Sequence, residues 1–138
     1  LDEIIRSKDG VIRGVDLNSK ADVITKTETK QPSEVAHDYL YFEYTIDSIT
    51  NYSVAYNLQK DSLDEVEVQI NCNDLDLSSH LFNDLKTYYE KKLPNPTKDK
   101  GFVVYNCFEV QRKPFVVSLT DNSTPNMGII NLVIYKDK

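Results

Sequence analysis

The segment 63–72 contains a strict alternation between polar and apolar residues, from residue 65 to residue 72, and this pattern constrains the fold more than any other feature. One side of the extended chain is apolar, with Val66, Val68, Ile70 and Cys72, and the other is polar, with Glu65, Glu67, Gln69 and Asn71. Strict alternation predicts a strand with one face in a core and one in water. Such strands are typical of antiparallel sheets. Segments 39–46 and 52–58 alternate in the same way and are joined by short polar connections, so the sequence predicts an antiparallel meander.

A first helix is predicted ahead of this meander, over residues 20–27. Ser19 and Asp22 match a capping box, in which each side chain accepts a hydrogen bond from a backbone N–H left free at the start of the helix. The buried side of the helix is expected to carry Val23, Ile24 and Thr27.

A second, longer helix is predicted over about 78–92. Either Ser78 or Ser79 supplies its cap, and Pro94 and Pro96 end it. Its apolar residues recur at spacings of three and four, which indicates a face turned towards a core. They are Leu81, Phe82, Leu85, Tyr88 and Tyr89.

The order helix-strand-strand-strand therefore occurs twice, because three more strands are predicted after the second helix, at 102–109, 114–120 and 128–136. The predicted fold class is α+β, with a tandem α-β-β-β repeat forming an antiparallel sheet packed by two helices. We expect a single domain over residues 1–138, with an N-terminal arm at 1–9 and sub-repeats at about 11–72 and 73–138.

The segment 12–23, followed by Pro32 and an aromatic strand, resembles the start of small bacterial envelope lipoproteins of the SmpA/OmlA type. The residues that match are Gly14, Ser19 as the helix cap, and Asp22 with the Val after it, whereas the Leu-Gly that precedes the proline in that family is absent. The whole chain is also similar to secreted lipoproteins of the Bacteroidetes group. The resemblance implies the fold of the β-lactamase inhibitory proteins and a periplasmic or cell-envelope location.

The chain carries a net charge of −6 across 138 residues. Affinity for nucleic acid comes largely from Lys and Arg displacing phosphate counterions, so this charge disfavours nucleic acid as a partner. No apolar stretch approaches the roughly 20 residues that cross a bilayer. Attachment to a membrane is therefore expected only through an upstream lipid anchor.

No combination of residues in the sequence indicates a catalytic centre, a metal or a cofactor. His37 and His80 lack neighbours at zinc-site spacing and are expected at the surface or at a helix cap. No nucleophile stands beside an oriented base, and no glycine-rich phosphate loop occurs. Asn73, Asp74 and Asp76 suggest calcium, but without the sharp-turn Gly and distal Glu of an EF-hand the favoured interpretation is a charged helix start. We expect no enzymatic activity.

The two cysteines, Cys72 and Cys107, are expected to be unpaired, because only their even number argues for a disulfide. Cys72 shares the strand parity of Val68 and Ile70, so it is expected in the core. A disulfide remains the alternative, and it would place the protein in an oxidising compartment.

The chain has nine tyrosines and no tryptophan. Tyr39 and Tyr41 fall opposite the apolar face formed by Leu40 and Phe42, so they are expected on an open sheet face. Tyr is favoured at protein interfaces, although packing between strands uses it as well. We expect a non-catalytic envelope or secreted domain that binds a protein or another extracytoplasmic ligand through Tyr39 and Tyr41. The alternatives are an acidic chaperone-like or regulatory module similar to type III secretion chaperones and, third, an enzyme.

Overall fold

The structure, a computed structural model, describes residues 2–6, 12–92, 97–99, 102–107 and 115–136. Within these residues the helices and strands follow one another along the chain in this order: α1 Asp2–Ile5, α2 Ala21–Glu28, β1 Glu34–Ala36, β2 Tyr39–Thr45, β3 Thr50–Gln59, β4 Ser62–Cys72, α3 Leu75–Lys92, β5 Thr97–Asp99, β6 Phe102–Cys107, β7 Phe115–Asp121 and β8 Gly128–Lys136.

The strands form one antiparallel sheet in the order β1-β2-β3-β4-β8-β7-β6-β5. Two meanders, β1 to β4 and β5 to β8, meet at the centre of the sheet, where Val68 of β4 lies opposite Leu132 of β8. Six strands have at least six residues, whereas the two edge strands β1 and β5 have three each. The predicted α+β class with an antiparallel sheet is confirmed.

One side of the sheet, the inner face, carries the buried side chains of the central strands, such as Val54, Val68 and Leu132. Ile24 of α2 and Leu85 of α3 belong to the same buried cluster, so both helices pack on this face. The opposite side, the outer face, carries the alternate residues of each strand. Because side chains alternate along a strand, the pattern that buries one face leaves the other polar.

The structure shows no clear tandem α-β-β-β repeat, and this part of the prediction is corrected. Four strands follow α2 and four follow α3, rather than three, and the helices have eight and 18 residues. The sequence pattern missed β1, the first strand of the first meander. All three of its side chains are exposed, so it has no alternating burial that a sequence pattern could reveal.

The capping box predicted for the first helix is wrong. Helix α2 begins at Ala21 after Lys20, which makes no side-chain cap, and the Ala21 N–H donates instead to Oδ1 of Asp61 at 3.3 Å. The buried face is also different from the predicted one: Ile24 and Glu28 are buried, but Val23 is 45% exposed. The reason is that a carboxylate, rather than an apolar side chain, is drawn into the core by a buried partner described below.

The second helix starts earlier than predicted, and neither Ser78 nor Ser79 caps it. Oδ1 of Asp74 accepts hydrogen bonds from the backbone N–H groups of Asp76 and Leu77, at 3.0 and 3.1 Å. Ser78 is instead buried within the first turns of the helix. Leu85 and Tyr89 are buried as predicted, with Leu81, Phe82 and Tyr88 partly buried beside them.

Cys72 is buried and free, and its Sγ accepts a hydrogen bond from Oγ1 of Thr50 at 3.5 Å. The core position predicted for this residue is confirmed. The side chain of Cys107, the helix stop at Pro94 and Pro96, and the end of the strand predicted to reach residue 109 lie outside the part of the chain that is described.

Candidate functional site

A groove of about 460 Å³ crosses the outer face of the sheet along β3. Its floor is low because Ser53 and Ala55 of β3 have small side chains. Larger residues lie on either side of Ala55: Tyr41 is its partner on β2, and Glu67 is its partner on β4. Alternation of large and small side chains across neighbouring strands is therefore what shapes the groove.

Tyr39 and Tyr41 form one wall of the groove, on the side of the sheet that the sequence predicts for them. Their rings are stacked, with centroids 6.1 Å apart and planes 14° from parallel. Both side chains are half-buried, whereas Leu40 and Phe42 between and beside them are buried on the inner face. The sequence pattern thus placed both tyrosines correctly, and it left the groove itself undetected.

The groove is acidic. Glu67 lies opposite Ala55, and Glu43 stands two residues beyond Tyr41 along β2, opposite Ser53. Glu34 of β1 lies beside the groove, opposite Tyr41. Strands β1 to β4, β7 and β8 place no Lys or Arg on the outer face. Burial, and then the charges of Glu67 and Asp64, raise the pKa of Glu65 at the groove margin.

The pKa of Tyr39 is affected by the same negative charges. Burial, followed by the charge of Glu34, raises the pKa of its hydroxyl above the ordinary value. A raised pKa means that the phenol holds its proton more firmly, so at neutral pH it presents a neutral ring and a hydrogen-bond donor. The groove therefore offers the neutral phenol of Tyr39, with the ring of Tyr41 stacked beside it, next to the carboxylates of Glu43 and Glu67.

A buried ion pair lies on the inner face of β2 and β3. Nη2 and Nε of Arg13 donate to the two carboxylate oxygens of Glu28, at 2.8 and 3.0 Å, and both side chains are fully buried. Nη1 of Arg13 donates to the carbonyl oxygens of Glu3 and Ile4 and to the hydroxyl of Tyr52. The pair thus connects α1, α2 and the sheet.

Tyrosine hydroxyls complete the coordination of Glu28. Tyr44 donates to Oε1 at 2.5 Å, Tyr56 donates to Oε2, and Nη1 of Arg6 donates to Oε1 at 3.0 Å. Burial alone would raise the pKa of Glu28, but the hydrogen bonds and charge of Arg13 and the two phenol donors hold it below its usual value. Glu28 is therefore ionised at neutral pH.

The backbone is strained at Arg13, in the turn that directs this side chain towards Glu28. Arg13 and Gly14 have φ angles of 56° and 80° in a turn closed by hydrogen bonds between Ile12 and Val15. Two consecutive positive φ angles define a type I′ turn, in which Gly14 is favoured and an Arg is uncommon. The ion pair with Glu28 compensates for this strain.

The polar atoms of the ion-pair cluster satisfy one another. No buried side-chain nitrogen or oxygen among the described residues lacks a hydrogen-bond partner. Sequence patterns missed the pairing of Arg13 with Glu28. The available signal was the inward parity of three tyrosines, Tyr44, Tyr52 and Tyr56, since a buried hydroxyl needs a polar partner.

The cluster lies behind one end of the groove, at Tyr44 and Tyr52. Both residues are at the groove, but their side chains lie on the inner face, where the rings stack with centroids 5.0 Å apart. Both also contact the ion pair, with Cζ of Arg13 lying 5.0 Å from the Tyr44 centroid and 5.3 Å from that of Tyr52. The cluster therefore holds this end of the groove in place from behind.

His37 and His80 are both exposed, and the structure does not bring them together with other candidate ligands. The carboxylate of Asp74, considered above for calcium, accepts hydrogen bonds from backbone N–H groups at the start of α3. Across the described ranges, no group of three His, Cys, Asp or Glu residues has metal-site geometry. Nor is any helix in that part of the chain long and apolar enough to span a membrane.

Comparisons of the chain with protein-family models, with curated proteins and with solved structures returned no match.

Proposed function

We propose that this protein is a non-catalytic domain of the cell envelope, or a secreted one, that binds a protein partner through the outer-face groove. The observation that carries the proposal is the stacked pair Tyr39 and Tyr41 beside the low floor at Ala55. Rigid aromatic side chains next to a depression are the usual anchors of a protein interface, where a few such residues supply most of the affinity.

The groove is also supported by a rigid base. Its floor belongs to β3, which pairs along its whole length with β4 and over residues 51–57 with β2. The Arg13–Glu28 cluster holds Tyr44 and Tyr52 beneath one end. A site built on paired strands loses little conformational freedom when a ligand binds, and that favours affinity.

The envelope location and the architecture of the β-lactamase inhibitory proteins belong to the same proposal. The location follows from the resemblance of segment 12–23 to envelope lipoproteins. The architecture is supported by the sheet order, in which two four-stranded meanders join at β4 and β8. In such an arrangement one long sheet face is left free for a partner, as the groove requires.

Site-specific photo-crosslinking in the producing cells tests the proposal. A benzoylphenylalanine at position 55 lies in the groove, and one at position 77 lies on the exposed start of α3 and is the control. We expect position 55 alone to label a discrete protein, and we expect the double variant Tyr39→Ser/Tyr41→Ser to abolish the labelling. The labelled protein, once purified, should bind this variant at least tenfold more weakly than the wild type.

Two results would overturn the proposal. One is equal labelling of the same protein from positions 55 and 77, which would mean that the groove is not the contact. The other is unchanged affinity of the purified protein for the Tyr39→Ser/Tyr41→Ser variant. Circular dichroism establishes that the variant is folded, which is expected because both tyrosines lie on the outer face, away from the core.

A further inference from the structure

Two carboxylates, Glu43 and Glu67, line the groove, and a third, Glu34, lies beside it opposite Tyr41. Glu34, Glu43 and Glu67 form no ion pair with any described residue, whereas Oδ1 of Asp64, near the start of β4, lies 3.7 Å from Nζ of Lys136. These carboxylates share a sheet face that, over β1 to β4, β7 and β8, carries no Lys or Arg. The charge that would complement the groove is therefore missing from this part of the chain.

The register shows where a cation would sit. Glu34, Tyr41, Ala55 and Glu67 form one row across β1 to β4. Neighbouring strands are about 4.8 Å apart. A positively charged group above the methyl group of Ala55 is therefore one strand spacing from the Tyr41 ring and one from the Glu67 carboxylate, so it contacts both together.

We propose that the partner inserts an extended segment bearing Lys or Arg side chains into this groove. The inference rests on the proposed function and adds the chemistry of the partner. The cation stacks on the rings of Tyr39 and Tyr41 and pairs with Glu67, while Glu43, opposite Ser53, binds the next basic side chain along the segment.

Tyrosine rings of this domain already hold cations on the opposite side of the sheet. Nζ of Lys30 lies 4.7 Å from the centroid of Tyr44, and Cζ of Arg13 lies 5.0 Å from the same ring. A cation over an aromatic face is attracted by the negative potential of the ring. The outer tyrosines offer the same faces to an external cation.

A neutral ligand such as an oligosaccharide fits the groove less well. It could stack on Tyr39 and Tyr41, but it would cover the Glu67 carboxylate without supplying an opposite charge. Removing water from an unpaired carboxylate is unfavourable. A basic segment replaces that water with an ion pair, so charge complementarity selects it.

The test uses three capped octapeptides as probes: alternating Lys-Ser, alternating acetyl-lysine-Ser and alternating Glu-Ser. Alternation places every charged side chain on one side of an extended peptide. Two-dimensional NMR titrations of the whole isotope-labelled chain report both affinity and place. We expect the Lys-Ser peptide to shift the amide signals of Tyr41, Ala55 and Glu67 and to bind at least tenfold more tightly than the other two.

Matched variants sharpen the test. Glu67→Gln should weaken binding of the Lys-Ser peptide three- to tenfold, and so should Tyr41→Leu. Asp76→Asn makes the same charge change as Glu67→Gln on the exposed start of α3 and should leave binding unchanged. Raising the salt concentration from 50 to 300 mM should also weaken binding, because the Debye length falls.

The proposal is overturned if the acetyl-lysine peptide or a neutral chitohexaose binds the groove as tightly as the Lys-Ser peptide. It is equally overturned if Asp76→Asn weakens binding as much as Glu67→Gln does. Failure of the Lys-Ser peptide to shift the groove signals, with photo-crosslinking from position 55 still dependent on Tyr39 and Tyr41, refutes the cationic segment but leaves the proposed function standing. Failure of both experiments refutes both.

Discussion

Arg13 and Glu28 face each other inside the core in a two-pronged ion pair, although they come from a tight turn and from the last residue of α2. Neither side chain is accessible to solvent. Their hydrogen bonds reach α1 at Glu3 and Ile4 and reach the sheet at Tyr52. One pair of charges therefore joins three separate parts of the fold.

Arg13→Met should destabilise the protein severely. It leaves the Glu28 carboxylate buried without its cation, and breaking a buried pair in this way costs about 3–5 kcal/mol. Total stability for a domain of this size is about 5–15 kcal/mol. Urea unfolding should show the loss, with Lys26→Met on the exposed side of α2 as the control. A change below about 1 kcal/mol, comparable to the control, would show that the pair is not a main support of the core.

Acid should weaken the fold through Glu28. Its pKa is lower in the folded chain than in the unfolded one, so its contribution is fully present above the unfolded value of about 4.3 and is lost as pH falls through the folded value. The free energy of unfolding, measured by urea from pH 7 to pH 3, should fall below about pH 4.3. Glu28→Gln should flatten this dependence, and the exposed Glu43→Gln should not. A slope shared by all three proteins would assign the acid sensitivity elsewhere.

Alanine at position 128 should be poorly tolerated. Its Cβ would lie 3.0 Å from the carbonyl oxygen of Cys72 and closer still to Cβ and Oγ of Ser78. Forcing extra atoms into a packed site costs about 1–3 kcal/mol. The matched variant Ser78→Gly/Gly128→Ala removes the obstructing atoms and should recover part of the loss. The thermal unfolding midpoint measures both, and additive effects of the two substitutions would contradict the contact.

Asp74→Ala should weaken α3, because it removes the carboxylate that accepts the N–H groups of Asp76 and Leu77. Loss of such a cap costs about 0.5–2 kcal/mol. Ser79→Ala, at an exposed position that makes no cap, should change the unfolding free energy little. If Ser79→Ala proved the more damaging, the helix would start where the sequence alone places it.

Leu85→Ala should lower the unfolding midpoint clearly, since Leu85 is fully buried between α3 and the sheet. Truncating a buried Leu costs about 2–5 kcal/mol through lost burial and the cavity left behind. Asn83→Ala, on the exposed side of the same helix, is the control. Equal effects would mean that another face of α3 packs against the sheet.

Local periodicity in the sequence determined most of the sheet. Alternation at Val66, Val68 and Ile70 assigned the inner face of β4, and the same reasoning put Tyr39 and Tyr41 on the outer face. These predictions succeed because side-chain direction along a strand depends only on the parity of residues within it. The long helix α3 was predicted for a similar reason, since Leu85 and Tyr89 lie one turn apart.

Tertiary structure alone decided how the remaining residues are used. Glu28 is buried because Arg13, 15 residues earlier, is turned towards it by a strained bend, and no local pattern encodes that meeting. The start of α2 is satisfied by Asp61, 40 residues away, and not by the neighbouring Ser19. The groove likewise exists only because strand pairing brings Ala55 between Tyr41 and Glu67. Such contacts join residues that are distant in the chain, so their energies appear only once the whole sheet has formed.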